Sequence, residues 1–161
     1  MRNWLIERLG KARLLRWIMT LYPPYLGAGV SVQQMSADFR HVKVRMGLGW
    51  YNRNYVGTQF GGSLYSMVDP FYMLMLMENL GRDYIVWDKA ASIDFISPGK
   101  GPVFAELRID DQLLADIREH TAGGKKYLPR LQVDIRDAAG ELVAQVDKTL
   151  YVRLKPQARQ A

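Results

Sequence analysis

One long apolar segment dominates the pattern of hydrophobic and polar positions along the chain. It runs from Gly61 to Leu80, and apolar side chains occupy almost every side of the helix that its length predicts. A helix without a polar face belongs in a core or in a membrane. Gly81 predicts its end, and Pro70 predicts a kink, because proline removes a backbone donor and crowds the preceding turn. Asp69, directly before the proline, is costly to bury unless it has a partner or a task.

Alternating apolar and polar residues predict strands on both sides of this helix. The predicted strands are Val30–Met35, His41–Gly47, a long or bent strand over Tyr84–Ile96, Val103–Ile109, Leu131–Arg136 and Leu142–Leu154, with a shorter helix at Asp110–His120. Lys148 interrupts the alternation of the last strand, which predicts a bulge or a local exit to solvent. Asp88 and Lys89 are interpreted as a surface pair.

Residues 3–22 have the spacing of an amphipathic helix, which Pro23 and Pro24 are expected to end, with a loop at Tyr25–Gly29. One interpretation is a helix packed on the body of the protein or on a sister subunit. The alternative is a peripheral membrane helix, because the two tryptophans and the five basic residues within residues 1–22 suit an anionic interface.

The order of elements predicts an α+β fold in which an antiparallel sheet wraps around the long central helix. The N-terminal amphipathic helix, residues 1–24, is an addition to this domain. The domain itself spans residues 25–155, and residues 156–161 form a flexible tail. A chain of 161 residues is long enough for one such domain with a substantial core.

Composition excludes several classes of function. The net charge of +6 is concentrated near the termini, so no nucleic-acid-binding face is predicted. The chain has no cysteine and only two histidines, which argues against metal sites and histidine-based catalysis. No secretory signal is evident, and the longest apolar run, Phe71–Met77, is too short to span a membrane. We therefore expect a cytoplasmic protein without a cofactor or a metal.

The turn before the central helix carries the spacing Asn54-x-x-Gly57-x-x-Phe60-Gly61-Gly62, and Asp69 follows seven residues after its last glycine. This pattern resembles the signature of hot-dog-fold acyl-CoA thioesterases, in particular the phenylacetyl-CoA thioesterase type. The segment from Ala91 to Gly99, an apolar strand that ends in proline and glycine, is similar to the strand after the helix in that superfamily.

The resemblance spans about Val30–Leu154 and is strongest to a bacterial group of uncharacterised thioesterase-like proteins. It implies the hot-dog fold, an acyl-CoA or other acyl thioester as substrate, and a homodimer that in turn can pair into a tetramer. One position departs from the pattern. Phe60 stands where the resembling enzymes carry histidine, and the neighbouring Gln59 is the nearest side chain that offers an amide donor.

Thioester hydrolysis needs an activated water or a nucleophile, together with donors for the developing oxyanion. Gly61 and Gly62 are the oxyanion candidates, because backbone N–H groups are exposed at the start of a helix. Asp69 would be the general base or attack the carbonyl itself. It lies about 80° away from Gly61 around the helix by the 3.6-residue repeat. In the resembling enzymes, the acid and the oxyanion donors come from opposite subunits.

The remaining site candidates are substrate-binding residues, and each also has a structural interpretation. Ser66, three residues before Asp69, would orient its carboxylate. Asn54 would position the thioester or hold the loop, and Gly57 would provide backbone geometry. Asp69 itself would, in the alternative interpretation, be a structural acid bonded across a dimer.

Three functions remain open at this point: a thioesterase, a non-catalytic module that binds acyl-CoA or fatty acyl chains, and a membrane-associated lipid-handling protein. A hot-dog dehydratase is disfavoured, because no histidine lies near the motif.

Overall fold

The computed structural model of the protein describes residues 10–156; residues 1–9 and 157–161 lie outside the described part. The helices are α1 (Lys11–Thr20), α2 (Pro23–Ala28), α3 (Gly61–Ser66), α4 (Phe71–Leu80) and α5 (Asp111–Thr121). The strands are β1 (Val30–Met35), β2 (His41–Met46), β3 (Tyr84–Phe95), β4 (Val103–Arg108), β5 (Arg130–Asp137) and β6 (Leu142–Leu154).

The strands form one antiparallel sheet in the order β1-β2-β4-β5-β6-β3. Along β2, the predicted alternation holds, with Val42, Val44 and Met46 buried. Their face of the sheet meets α4, whose Phe71 and Leu76 are fully buried. The sheet therefore encloses the central helix, as the apolar pattern predicts.

The central helix is divided at the predicted kink. The helix α3 ends at Ser66, a short turn follows, and α4 begins after Pro70. Proline has no N–H to continue the helical ladder, and its ring crowds the turn before it. Asp69 consequently lies in a break between two helices, where its main-chain carbonyl is free to accept a bond from another element. Gly81 ends α4 at a φ of 82°, a conformation that favours glycine.

The strand β3 forms an edge of the sheet, because it pairs with β6 on one side only. A β-bulge between Asp88 and Ala90 shifts its register. Trp87 and Phe95 on this strand are more than half exposed. A long edge strand with exposed apolar side chains is a template for pairing with another strand.

The predicted structure near Pro23 needs correction. The two prolines end α1 and also begin α2, so residues 25–28 are helical rather than a loop. Proline suits the first position of a helix, because its fixed φ fits and its missing N–H would have no partner there. Residues 3–9 of the predicted N-terminal helix lie outside the described residues. No helix within residues 10–156 is long and apolar enough to cross a membrane.

The interpretation of Lys148 is also wrong. The β6 backbone stays in register at this residue, which pairs with Ala91 on one side and Leu131 on the other. The irregularity between β5 and β6 lies instead at Ile135 and Arg136. The side chain of Lys148 does not leave for solvent, and its exposed fraction is zero.

Candidate active site

The carboxylate of Asp69 lies at the break between α3 and α4 and keeps 43% of its side-chain surface exposed. Its Oδ1 accepts two hydrogen bonds: from the Tyr65 hydroxyl at 2.6 Å and from Lys148 Nζ at 2.8 Å. No group among residues 10–156 donates to Oδ2. One oxygen of this carboxylate is thus fixed, and the other is available to a ligand or a water molecule.

Lys148 reaches this carboxylate from β6, on the inner face of the sheet. Its Nζ lies 2.6 Å from the main-chain oxygen of Asp69, 2.8 Å from Oδ1 of the same residue and 2.9 Å from Oδ1 of Asp88. Hydrogen bonds from Nζ reach both Asp69 oxygens and, at 3.5 Å, the Tyr65 hydroxyl oxygen, whereas Asp88 Oδ1 is held by the ion pair without a hydrogen bond from the described residues. Asp88 is therefore part of a buried ion cluster, and its interpretation as one member of a surface pair is wrong; Lys89 is exposed.

The pKa values of the cluster follow from burial and from the opposite charges. Burial lowers the pKa of Lys148, but its contacts with Asp69 and Asp88 outweigh this effect, and the pKa is raised above its usual range. Burial raises the pKa of Asp88 against the opposing effect of Lys148. The pKa of Tyr65 is raised, first by burial and then by its hydrogen bond to Asp69. Lys148 is accordingly a cation that holds Asp69.

The turn before α3 is organised by Asn54. Its Nδ2 donates to Thr58 Oγ1 and to the Gln59 carbonyl, while its Oδ1 accepts from the N–H groups of Val56 and Thr58. Gly57 has a φ of 85°, in the region that favours glycine, so the turn requires glycine at this position. Of the two roles predicted for Asn54, these contacts correspond to holding the loop.

Gln59 and Phe60 point in different directions. Gln59 is buried, and its Nε2 donates to the carbonyls of Gly47 and Gly101 at 3.2 and 3.0 Å. Its amide donor is therefore engaged inside the protein and does not replace the missing histidine. The ring of Phe60 is 54% exposed beside the start of α3.

Gly61 and Gly62 begin α3, where the first N–H groups of a helix have no intrahelical acceptor. A Cβ on Gly61 would lie 2.9 Å from the ring of Phe95, and a Cβ on Gly62 would lie 2.6 Å from the ring of Phe60. A side chain in place of either glycine would displace one of these exposed rings. Their N–H groups have no acceptor within the described part of the chain, which leaves them available to an oxyanion.

Two cavities flank this turn, and each glycine faces a different one. The first has a volume of about 350 Å³ and is lined by Asn54, Gly61, Leu64, Phe95, Ile96 and neighbouring residues. The second has a volume of about 440 Å³ and is lined by Gly27, Tyr51, Phe60, Gly62, Ser66 and neighbouring residues. Asp69 lines neither cavity. The structure of one chain therefore does not bring the acid and the glycine N–H groups into a common pocket.

Ser66 does not contact Asp69, because its hydroxyl donates to the carbonyl of Ser63 at 3.0 Å. Tyr65, four residues before the acid, makes the contact that was predicted for Ser66. The i, i+4 spacing is the one that brings side chains together on a helix, so it was a usable signal. For Lys148, the only signal in the sequence was the break in strand alternation.

Three solved structures share this architecture. A Pseudomonas aeruginosa protein of unknown function, described as a probable thioesterase, is 19% identical over 88% of this chain and 94% of its own, with a TM-score of 0.75. A Haemophilus influenzae thioesterase is 14% identical over 89% and 91%, with a TM-score of 0.65. Thioesterase superfamily member 2 from Mus musculus is 21% identical over 87% and 96%, with a TM-score of 0.62. No curated protein matches the chain.

The six-stranded antiparallel sheet around a broken central helix is therefore the hot-dog fold, shared with proteins of the thioesterase superfamily. The predicted fold class is confirmed. Within this class, the chain belongs to the DUF4442 family, described as a domain of unknown function, whose model matches residues 10–152.

Proposed function

We propose that this protein hydrolyses acyl-CoA or a related acyl thioester, with Asp69 as the general base. The observation that carries the proposal is the state of the Asp69 carboxylate. Tyr65 and Lys148 hold one of its oxygens, and the other is exposed at the break in the central helix. A partly exposed carboxyl group in a fixed orientation is suited to accept a proton from a water molecule.

In the proposed reaction, a water molecule bound to Oδ2 of Asp69 attacks the thioester carbonyl carbon and gives one proton to that oxygen. The N–H groups of Gly61 and Gly62 stabilise the negative charge that develops on the carbonyl oxygen. The carbon–sulfur bond then breaks, and the proton passes from Asp69 to the leaving thiolate. The products are a carboxylic acid and a thiol.

The site is completed, in this proposal, by a second copy of the chain. Asp69 lines neither cavity beside the glycines, and the break after Ser66 separates it from the helix that Gly61 begins. Pairing of two β3 strands would continue the sheet across a dimer and bury the exposed ring of Phe95 next to Gly61. The acid of one protomer would then face the oxyanion donors of its partner. A tetramer would form from two such dimers.

The second candidate function is binding of an acyl thioester or a fatty acyl chain without catalysis. It is favoured by the turn at Phe60, where no histidine is present and the amide of Gln59 donates inward. Asn54 likewise uses its hydrogen-bonding groups within the loop. This side of the site therefore offers backbone donors and an aromatic ring, which are sufficient for binding.

A panel of acyl-CoA substrates, tested with the wild type and with Asp69→Asn, separates the two functions. We expect turnover by the wild type and a loss of at least about 100-fold in kcat in the variant, with little change in KM. The matched control is Glu119→Gln, which neutralises an exposed acid on α5, away from the β3 edge. Thermal stabilisation by acyl-CoA without turnover would support the binding module, and equal activity of the wild type and Asp69→Asn would contradict the role of Asp69.

A further inference from the structure

We propose that Lys148, Tyr65 and Asp88 are positioning residues that set the orientation and basicity of Asp69. This inference rests on the proposed function, because it concerns the same acid. Its parts come from three elements, with Lys148 on β6, Asp88 on β3 and Tyr65 on α3. Their juxtaposition at the break in the central helix is the observation that carries it.

Lys148 does not touch a substrate in this arrangement. Its side chain is fully buried; its Nζ donates to the Asp69 carbonyl, the Asp69 carboxylate and the Tyr65 hydroxyl, and it forms an ion pair with the Asp88 carboxylate. Any effect of this lysine on a reaction must therefore act through Asp69. Lys125 and Lys126 differ from it in this respect, because they lie in an exposed turn.

The lysine holds Asp69 at two points, because the same Nζ binds its main-chain oxygen at 2.6 Å and its Oδ1 at 2.8 Å. The backbone and the carboxylate are thus fixed together, at the place where Pro70 interrupts the helical ladder. The Tyr65 hydroxyl adds a second donor to Oδ1 at 2.6 Å. Both donors occupy the same oxygen, so the arrangement leaves Oδ2 as the basic atom of the carboxylate.

Asp88 sets the charge of the cluster. A single Lys148–Asp69 pair would be neutral, and the full positive charge next to the acid would make it a weak base. Asp88 lies 2.9 Å from the same Nζ and shares that charge. One ammonium between two carboxylates leaves a net charge of about −1, so the cluster keeps its affinity for a proton.

The other ionisable group near this acid is Tyr25 on α2. It is buried against Phe71, and burial, followed by the negative charge of Asp69, raises its pKa. Tyr25 is therefore neutral. Asp147, the neighbour of Lys148 on its own strand, faces the opposite side of the sheet and bonds Gln132. The described groups that contact the Asp69 carboxylate are thus Lys148 and Tyr65, and Asp88 is joined to it through Lys148.

Three substitutions test this arrangement through the direction of a titration shift. Asp88→Asn removes the second negative charge next to Lys148, so the midpoint of the Asp69 titration should fall by about one pH unit. Tyr65→Phe removes a hydrogen-bond donor to the Asp69 carboxylate and should raise this midpoint. Lys148→Met removes the cation and should raise the midpoint further. The readout is the pH titration of the Asp69 side-chain carboxyl by ¹³C NMR, with Lys43→Met on the outer face as the control.

Where the wild type hydrolyses a thioester, the acidic limb of kcat against pH should shift in the same directions in these variants. A purely structural cluster would reduce activity in each variant without opposite shifts. Shifts in one common direction, or none, in Asp88→Asn and Tyr65→Phe would overturn the proposal, even if Lys148→Met did not fold. Opposite NMR shifts without hydrolysis would instead uphold the cluster and contradict the proposed function.

Discussion

Lys148 on the last strand and Asp69 at the break in the central helix are joined by an ion pair of 2.8 Å that connects residues 79 positions apart in the chain. The lysine is fully buried, whereas the acid is partly exposed. The pair therefore joins the interior of the sheet to a carboxylate at the surface. It fixes the central helix at the point where Pro70 weakens it.

Loss of this lysine should destabilise the fold. Lys148→Met would leave the carboxylates of Asp69 and Asp88 without their buried cation, at a cost of about 3 kcal/mol in the free energy of unfolding. The same substitution in an Asp69→Asn/Asp88→Asn background should cost much less, because methionine has a similar length and no charge is left unpaired. Urea unfolding at neutral pH measures both costs. Equal costs in the two backgrounds would contradict the ion cluster, and Lys126→Met, in an exposed turn, serves as the control.

Glu106 provides a test of surface electrostatics. The hydrogen bond from Lys43, followed by those from Arg108 and His41, lowers its pKa from 4.5 to about 2. A carboxyl with a lowered pKa stabilises the folded state at high pH, and that contribution is lost as the pH falls from about 4.5 towards 2. The side chain is 44% exposed, so solvent screening limits the contribution to below about 1 kcal/mol.

Glu106→Gln should therefore reduce stability slightly at pH 7 and flatten its decline in this acidic range. Thermal unfolding of the wild type and the variant over a pH series measures the difference. A decline of unchanged slope in the variant would mean that the ion pairs of Glu106 contribute nothing in solution.

Much of the fold could be predicted from the sequence because its strands are regular. In β2, every second residue is buried. Gly81 ends one helix and Asp110 begins another, in both cases through interactions with neighbouring residues in the chain. Pro23 was misinterpreted, because a proline is equally suited to follow one helix or to begin the next. Local rules of this kind do not depend on distant residues.

The candidate site was less predictable because its contacts are not local. A charged residue at an inward position of a strand indicates either an exit to solvent or a partner on another element. The fold brings Asp69 and Asp88 to Lys148, and only this contact shows that the lysine has partners on other elements and does not exit to solvent. Tyr65 was recoverable from its i, i+4 spacing to the acid, whereas the inward direction of Gln59 was not recoverable from any pattern.

The N-terminal helix offers a test of the membrane interpretation. On α1, Ala12 is buried, and the Thr20 hydroxyl accepts a hydrogen bond from the N–H of Val32, so this side packs on the sheet. Trp17, Ile18 and Leu21 are more than half exposed, and we infer that they would enter a lipid interface.

Replacing these three exposed residues with serine should abolish co-sedimentation with anionic vesicles while leaving the fold intact. Deletion of the whole helix would be a weaker test, because it would also remove the packing side. Trp87→Ser, which removes an exposed tryptophan on β3, is the matched control. Binding that is equal in the wild type and the triple variant, or absent in both, would leave α1 as a packing helix.

The free edge of β3 gives the sharpest test of the proposed dimer. Ala90 and Ser92 lie near the middle of this strand and pair with Thr149 and Asp147 of β6. Their side chains are exposed, so lysine at both positions is compatible with the folded monomer. In a dimer joined at β3, the new positive charges would lie next to those of the partner and repel them.

We therefore expect the Ala90→Lys/Ser92→Lys variant to be monomeric by light scattering at concentrations where the wild type is a dimer, with an unchanged far-ultraviolet circular dichroism spectrum. Gln112→Lys on α5 adds a lysine at an exposed position away from the edge, and it should remain a dimer. Thioester hydrolysis should fall together with the dimer, because the acid and the oxyanion donors would no longer meet. A monomeric variant with full activity would show that one chain assembles the site, and a wild-type monomer would contradict the shared site directly.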